Sequence, residues 1–374
     1  MNILILSCNT GEGHNAAARA IAENAEKMGH EANLVDMMSL AGKRVSRIVG
    51  GGYINIAKNT PLLFGAVYQL GKLLSSPKRK SPVYFANALM AKYLAAYLEE
   101  HPADIIITPH LYPAETITYM KRKGMISIKA IAVATDYTCI PFWEETECDY
   151  YIVPHEDCVN EFVKRGIPEE KILPYGIPVS EGFEVKVNKE RVRRKLKLPV
   201  LGKLYLIMGG SMGFGKIKLF SMELAACIEK EDYIVVVCGN NEPLRKSMQK
   251  KFEENDRVRI IGFTKHVSDY MSAADVIYTK PGGLSSTEAL MKNLPIVHTA
   301  PIPGCESKNR IFFKKRGISV SASEILVQIH KGRELVKNKN KREVMLKKQQ
   351  KNMHYHAAVK IIELAERCTD LKMG

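Results

Sequence analysis

Short apolar runs recur along this chain. Each closes on a glycine, proline or polar loop and is followed by a stretch of helical periodicity. Asn2–Ser7, Glu31–Val35, Asp104–Thr108, Ile128–Ala134, Tyr150–Val153 and Lys171–Leu173 read as strands of a first half. Runs as unbroken as Asp104–Thr108 and Ile128–Ala134 fit parallel strands covered on both faces. His14–Met28 reads as the first helix, with Gly29 as its stop. Between Ile177 and Pro199 the composition turns polar and basic, which reads as a linker. The alternation then restarts with Leu204–Met208, Tyr233–Cys238, Arg257–Ile261, Asp275–Tyr278 and Ile296–His298. After Gly317–Val320 the chain turns helical, and Lys337 to Lys351 reads as one strongly basic helix. The expected architecture is α/β in two lobes: residues 1–178, a linker over 179–200, a second lobe over 201–352, and a C-terminal helix in 353–374 returning to the first lobe. Parallel sheets of this kind bind ligands at the carboxyl ends of their strands, so the chemistry belongs in the strand-to-helix loops.

Charge adds a second theme. The 374 residues carry a net charge of +15, and its distribution matters more than its size. No acidic residue occurs between Asp36 and Glu99. That interval holds Lys43, Arg44, Arg47, Lys78, Arg79 and Lys80, interleaved with apolar and aromatic positions such as Tyr53, Phe64 and Tyr68. Leu63, Val67, Leu70 and Leu74 fall on one helical stripe within it. Such a segment fits an anionic membrane surface better than nucleic acid, which spreads its basic contacts without so many aliphatics among them; a solvated basic face over ordinary core residues is the bland alternative. No stretch of about 18 uninterrupted apolar residues is present, so no transmembrane helix is expected. The eight cysteines are scattered, and the apolar start is too short for a secretory leader; both point to a reduced, cytosolic setting.

Five loops stand out. Ser7-Cys8-Asn9-Thr10-Gly11-Glu12-Gly13-His14 joins the first strand to the first helix, and His14 there is a candidate general base. A histidine that merely packs at the helix start is the competing reading. Asp136 ends the strand Ile128–Ala134 and could orient a histidine or a substrate hydroxyl; a turn residue is its bland alternative. His110, between Pro109 and Pro113, is a lesser candidate in a stretch that also suits a structural turn. Gly209, Gly210 and Ser211 open a glycine-rich loop suited to a diphosphate. It lacks the Gly-Lys-Ser/Thr ending of a P-loop and the dinucleotide fingerprint. Gly262, Phe263 and Thr264 could offer backbone groups and an aromatic wall to a base. The most informative stretch is Thr279-Lys280-Pro281-Gly282-Gly283-Leu284-Ser285-Ser286-Thr287-Glu288, followed by Pro303-Gly304-Cys305-Glu306-Ser307-Lys308-Asn309. A Gly-Gly turn into a helix start, a carboxylate one turn on and a second polar loop suit a nucleotide sugar. Glu288 has a structural rival, a capping box with Ser285 as N-cap. No Asp-x-Asp occurs and no cluster has metal-ligand spacing, so no metal is expected.

Taken together, Gly11-Glu12-Gly13-His14, Ala134-Thr135-Asp136-Tyr137, Tyr175-Gly176-Ile177-Pro178, Met208-Gly209-Gly210, Val237-Cys238-Gly239-Asn240-Asn241, Thr279-Lys280-Pro281-Gly282-Gly283 and Pro303-Gly304 resemble the diacylglycerol glycosyltransferases. That resemblance implies a GT-B fold, two Rossmann-like lobes with the active site in the interlobe cleft. It implies an inverting, metal-independent hexose transfer from UDP-glucose or UDP-galactose to diacylglycerol. The UDP-sugar is a co-substrate, and no cofactor is implied. By the same resemblance Gly262, Phe263 and Thr264 line the uracil, Glu288 holds the ribose, and Gly283, Leu284 and Ser285 supply phosphate-facing amides. Glu306 and Asn309 contact the sugar, His14 is the acceptor-side base with Asp136 as its support, and Gly13 with the Lys43–Lys80 segment forms the acceptor and membrane region. Peripheral attachment to the inner face of the cell membrane, through anionic lipids, follows from it. Cys305 stands where the family usually carries Gln, which leaves glucose and galactose open; Cys8 stands where many relatives have Asp, and Glu12 where many have Gly. Three other readings fit the same loops: a different lipid or cell-wall acceptor, a UDP-sugar epimerase, and a membrane-docked UDP-sugar sensor without catalysis.

Overall fold

The computed structural model describes residues 1–9, 11–42, 44–46, 70–71, 75–76, 79–210, 213 and 215–370. The chain divides into two compact units. The first comprises Met1–Ser180, Pro303–Cys305 and His354–Gly374; the second comprises Glu181–Ile302 and Glu306–Met353.

The first unit is built on β1 (Asn2–Ser7), β2 (Glu31–Asp36), β3 (Ile105–Thr108), β4 (Lys129–Val133), β5 (Tyr150–Ile152) and β6 (Ile172–Leu173). Its described helices are α1 (Glu12–Lys27), α2 (Pro82–Ala88), α3 (Ala91–Glu100), α4 (Leu111–Arg122) and α5 (Glu156–Lys164). All six strands pair in parallel, in the order β2-β1-β3-β4-β5-β6. Ile3, Ile5, Ile105, Ile107, Ile131 and Val133 are fully buried, as expected of a sheet covered on both faces. On one face they share a core with Ala18 and Ile21 of α1 and with Ile361, Ile362 and Ala365 of the C-terminal helix.

The second unit opens with α6 (Glu181–Glu184) and α7 (Lys189–Lys195). These occupy the stretch whose composition reads as a linker, and they are packed. Arg193 is buried, donating from Nε to Ala273 O (2.9 Å), from Nη1 to Val200 O and Gly202 O (both 3.0 Å), and from Nη2 to Asp275 Oδ2 (2.7 Å). The fork geometry of a guanidinium saturates chain turns in this way, and a basic run read by composition alone conceals it. The sheet follows as β7 (Leu204–Met208), β8 (Tyr233–Val237), β9 (Val258–Ile261), β10 (Val276–Thr279), β11 (Ile296–His298) and β12 (Val320–Ser321). The helices between and after them are α8 (Ile217–Cys227), α9 (Glu242–Lys251), α10 (Val267–Ala273), α11 (Gly283–Met291), α12 (Cys305–Arg316), α13 (Ile325–Lys337) and α14 (Lys339–Gln350). The strands are again parallel, in the order β12-β11-β10-β7-β8-β9. Read from β9, this is the 3-2-1-4-5-6 order of a doubly wound nucleotide-binding fold. The basic stretch from Lys337 is two helices rather than one. Asn338 adopts an extended conformation (φ −92°, ψ 99°), ends α13, and accepts the Lys341 N–H as the N-cap of α14.

The last helix, α15 (Ala357–Asp370), packs against α1 in the first unit. His354 leads into it, its Nε2 2.9 Å from Glu156 Oε1 on α5. Among the described residues no helix is long and apolar enough to cross a membrane.

Candidate active site

In the first sheet β1 lies between β2 and β3, so the connections leave in opposite directions between β1 and β3. That switch point is where such a sheet opens a crevice for ligands. The loop after β1 and the loop after β3 both end there. Ser7 Oγ, at the end of β1, donates to Asn15 Oδ1 (2.7 Å) and fastens the loop to the first turn of α1. His14 lies in that turn. Its Nδ1 is 2.9 Å from Pro109 O, just past β3, and 2.9 Å from Thr135 Oγ1, just past β4. A carbonyl can only accept, so Nδ1 carries the proton and Nε2 holds the lone pair. The histidine is thus oriented by two strand ends, with its basic nitrogen defined. Burial pushes its pKa below the ordinary histidine value, while the negative charge of Asp136 and the Pro109 carbonyl pull it upward. Asp136 acts on His14 through its field, and the Nδ1 contacts come from Pro109 and Thr135.

His110 is brought beside His14, the rings meeting edge-on at 4.6 Å. Its Nδ1 accepts the Tyr112 N–H (3.1 Å), which makes it the N-cap of α4. Burial, and then the neighbouring His14, hold its pKa well below the usual value. A neutral capping imidazole next to His14 fits the turn reading of the Pro109–Pro113 stretch. Gly11 has extended backbone and nothing within 4 Å of an added Cβ, and Gly13 lies inside α1; neither conformation demands glycine, and the space at Gly11 is open. Cys8 is buried with Met37, Met38 and Met90. Burial, then Asp36, raises its thiol pKa well above the normal range, so it packs rather than reacts.

Of the basic segment, Lys43, Arg47, Tyr53, Phe64, Tyr68 and Lys78 lie outside the described residues, as does most of the Leu63–Leu74 stripe. Arg44 and Arg79 are exposed. Lys80 is a correction: its ammonium turns inward, donates to Glu145 O and lies 3.7 Å from Glu147 Oε1. Two carboxylate-bearing neighbours downstream in sequence draw it off the surface. Immediately after it, Phe85 on α2, Leu89 between α2 and α3, and Tyr93 on α3 recur at four-residue spacing, exposed by 59%, 72% and 37%, beside exposed Lys92. This apolar stripe lies beyond Lys80 but inside the acid-free interval between Asp36 and Glu99. Beneath α2 sits a pair of buried carboxylates that the sequence does not announce. Glu115 Oε2 accepts from Asn87 Nδ2, and Glu145 Oε2 accepts the Ser81 N–H (2.7 Å). Their Oε1 atoms have no partner among the described residues. Burial pushes the Glu115 pKa up to about 8 and raises that of Glu145 as well.

In the second sheet the switch point falls between β7 and β10, the strands that carry the two glycine loops. Ser211 lies outside the described residues; Gly209 is buried and Gly210 half-buried. Gly210 has φ +70°, a conformation that favours glycine, and a Cβ there would meet Lys280 Cε at 2.6 Å, so the lysine crosses directly over it. Helix α11 begins at Gly283 with Gly282 as N-cap and no side-chain cap. This removes the capping-box reading of Glu288: Ser285 is inside the helix, and Glu288 lies two positions beyond the end of its first turn. The N–H groups of that turn that meet no carbonyl of their own helix belong to Gly283, Leu284 and Ser285, the three residues expected to face a phosphate. Glu288 is buried to 9% exposure.

Glu306 is buried and doubly engaged. Oε1 pairs with Lys280 Nζ, and Oε2 accepts the Ile302 N–H (2.8 Å). Asn309 is buried and donates from Nδ2 to Pro281 O (3.1 Å), tying α12 to the β10 loop. His298, at the end of β11, is fully buried between Ser286 Oγ (3.0 Å) and Ser319 Oγ (3.1 Å). Burial lowers its pKa to about 3, so it is a neutral brace for α11. The Gly262-Phe263-Thr264 loop follows β9, with β7 and β8 between it and β10. Phe263 is 54% exposed, Thr264 Oγ1 accepts the His266 N–H (3.0 Å), and a Cβ on Gly262 would touch Arg245 Cδ at 3.0 Å. Lys280 and His298 were not among the residues singled out by sequence. Lys280 had a visible signal, a cation next to a Gly-Gly turn; His298 had none.

Residues 14–179 match the family model for monogalactosyldiacylglycerol (MGDG) synthase, and residues 204–361 match the glycosyltransferase family 28 C-terminal domain. The chain is 26% identical over 320 residues to a processive diacylglycerol beta-glucosyltransferase of Staphylococcus saprophyticus, covering 84% of this chain and 79% of that protein. Among solved structures it is similar to Acinetobacter baumannii MurG (TM-score 0.64, 14% identity, 98% of this chain and 99% of that one). It is equally similar to a UDP-GlcNAc 2-epimerase from Neisseria meningitidis (TM-score 0.64, 16% identity, 98% and 100%). The two structures share the GT-B fold with this chain.

Proposed function

The chain belongs to the diacylglycerol glycosyltransferases and is a glycosyltransferase, and from that premise we propose that it transfers a hexose from a UDP-sugar to diacylglycerol at a membrane surface, with inversion and without a metal. The observation that carries this reading is His14, an imidazole at a sheet switch point whose protonated Nδ1 is fixed by Pro109 O and whose Nε2 is left as the base. The acceptor hydroxyl gives its proton to Nε2 as its oxygen bonds to the anomeric carbon. The electron pair of the breaking C1–O bond leaves on the β-phosphate of UDP, and single attack from the opposite face inverts the centre. Asp136 favours the imidazolium that forms.

The second unit supports the donor half of the reading. A nucleoside diphosphate sugar is long enough to run along the strand ends from the Phe263 loop, across β8 and β7, to α11; three inter-strand steps are about 14 Å. The uncapped N-terminus of α11 suits the diphosphate. Glu288 suits the ribose, and Glu306 and Asn309 the sugar. The named relatives are glucosyltransferases, which favours UDP-glucose. The stripe of Phe85, Leu89 and Tyr93 beside Lys92 supports docking on anionic lipid at the cytoplasmic face.

The test is transfer of radiolabelled hexose into diacylglycerol vesicles. His14→Ala is expected to lose activity by about 100-fold or more, with UDP binding intact. A near-normal rate removes His14 as the base. Turnover of UDP-sugar at the same rate without vesicles would instead favour the epimerase, and UDP-sugar binding with no UDP release in the presence of diacylglycerol would favour the sensor.

A further inference from the structure

Resting on the UDP-sugar reading, we propose that Lys280 is the cation that receives the donor's diphosphate, and that Glu306 is its partner before the donor binds. Lys280 is the residue after β10, three positions before α11 begins. Its side chain lies across Gly210, whose missing Cβ would stand 2.6 Å from Cε and 3.7 Å from Nζ. The lysine therefore passes directly over Gly210, and a side chain at position 210 would oblige its flexible end to shift. Its ammonium ends on Glu306 Oε1. The same oxygen lies 3.8 Å from the position a Cβ would take on Gly282, the N-cap of α11.

One buried carboxylate oxygen thus sits beside both an ammonium and an uncapped helix N-terminus. Those two features together form the environment that an incoming diphosphate needs. Glu306 fills it with a negative charge supplied by the protein. Its other oxygen is held by the Ile302 N–H (2.8 Å), so the carboxylate stays where it is when Lys280 turns away from it. Donor binding then exchanges one anion for another at Nζ. Glu306 Oε1 is released toward the sugar, and the ammonium stands at the leaving group. No bond to Lys280 forms or breaks: the electron pair of the C1–O bond ends on the β-phosphate, and Lys280 keeps its proton while balancing that charge. The sequence reading left this charge to helix ends and an unnamed basic residue, and the fold supplies the residue.

Calorimetric titration of the full chain with UDP and with UMP tests the exchange. UMP lacks the β-phosphate, so the ratio of the two affinities isolates it from general damage to the lobe. Lys280→Ala is expected to weaken UDP by about 10- to 100-fold and UMP by much less, and Lys280→Arg to retain most of the preference. Glu306→Gln removes the competitor and is expected to tighten UDP several-fold. Where Lys280→Ala does not fold, Lys280→Gln carries the same comparison. The proposal is overturned if the UDP-to-UMP ratio is unchanged in the lysine variants, if both ligands weaken equally, or if Glu306→Gln weakens UDP. Each of these leaves the UDP-sugar reading in place, provided the wild type binds UDP. A wild-type protein that binds neither nucleotide overturns both.

Discussion

Replacing Glu115 by Gln puts the buried acid beneath α2 to a quantitative test. Glu115 is completely inaccessible, one of its oxygens has no partner among the described residues, and burial pushes its pKa from 4.5 up to about 8. In the unfolded chain it loses its proton through the ordinary range; in the folded chain it keeps it until about pH 8. Between these values the folded state binds one more proton than the unfolded state, so stability falls as pH rises, by about 1.4 kcal/mol per pH unit. The stabilising contribution is complete below the unfolded pKa and is lost on passing through the folded one. From pH 5 to pH 8 this sums to about 4 kcal/mol, undiminished by solvent because the group is buried, and large against a typical total of about 5–15 kcal/mol. Gln keeps the shape, offers the same oxygen to Asn87, and does not titrate. The two proteins should therefore unfold alike at pH 5, and the variant should be more stable by about 4 kcal/mol at pH 8. Trp143, the single tryptophan of the chain, is buried in the same unit and reports its unfolding in urea by fluorescence. Parallel stability curves for the two proteins across this pH range would refute the reasoning.

Asp136→Asn should move the acid limb of kcat/KM to lower pH, because removing a negative neighbour makes the His14 imidazolium easier to deprotonate; a pH–rate profile measured with saturating vesicles checks the sign. The wild-type limb itself should lie below the ordinary histidine range, since burial depresses His14. Phe85→Asp combined with Leu89→Asp should reduce co-sedimentation with anionic vesicles by about 10-fold or more while leaving UDP affinity unchanged; equal binding by the double variant would remove the stripe from the docking surface.

The strand runs were legible because parallel strands buried on both faces must be apolar throughout, and Ile105–Thr108 and Leu204–Met208 satisfy that without alternation. The strand-end position of His14 and Asp136 followed from the same pattern. Helix ends were less legible. Ser285 and Glu288 spell a capping box, yet Gly282 starts the helix without a side-chain cap, and a helix that opens on a glycine gives no capping signal to read. Asn338 broke a run of uniformly basic residues whose composition masked the cap. Glu115 was hidden because a charge on a helix is normally a solvated face, and only three-dimensional packing shows that α4 turns it inward.

The placement of α15 bears on the order in which the protein is completed during synthesis. The second unit is nearly continuous in sequence, whereas the core of the first needs Ile361, Ile362 and Ala365 against strands that lie roughly 230 to 360 residues earlier. Until those residues leave the ribosome, α1 covers that face of the sheet without its partner helix, and exposed apolar sheet surface is the usual route to aggregation. A chain cut short before α15 therefore leaves that face of the first sheet only partly covered.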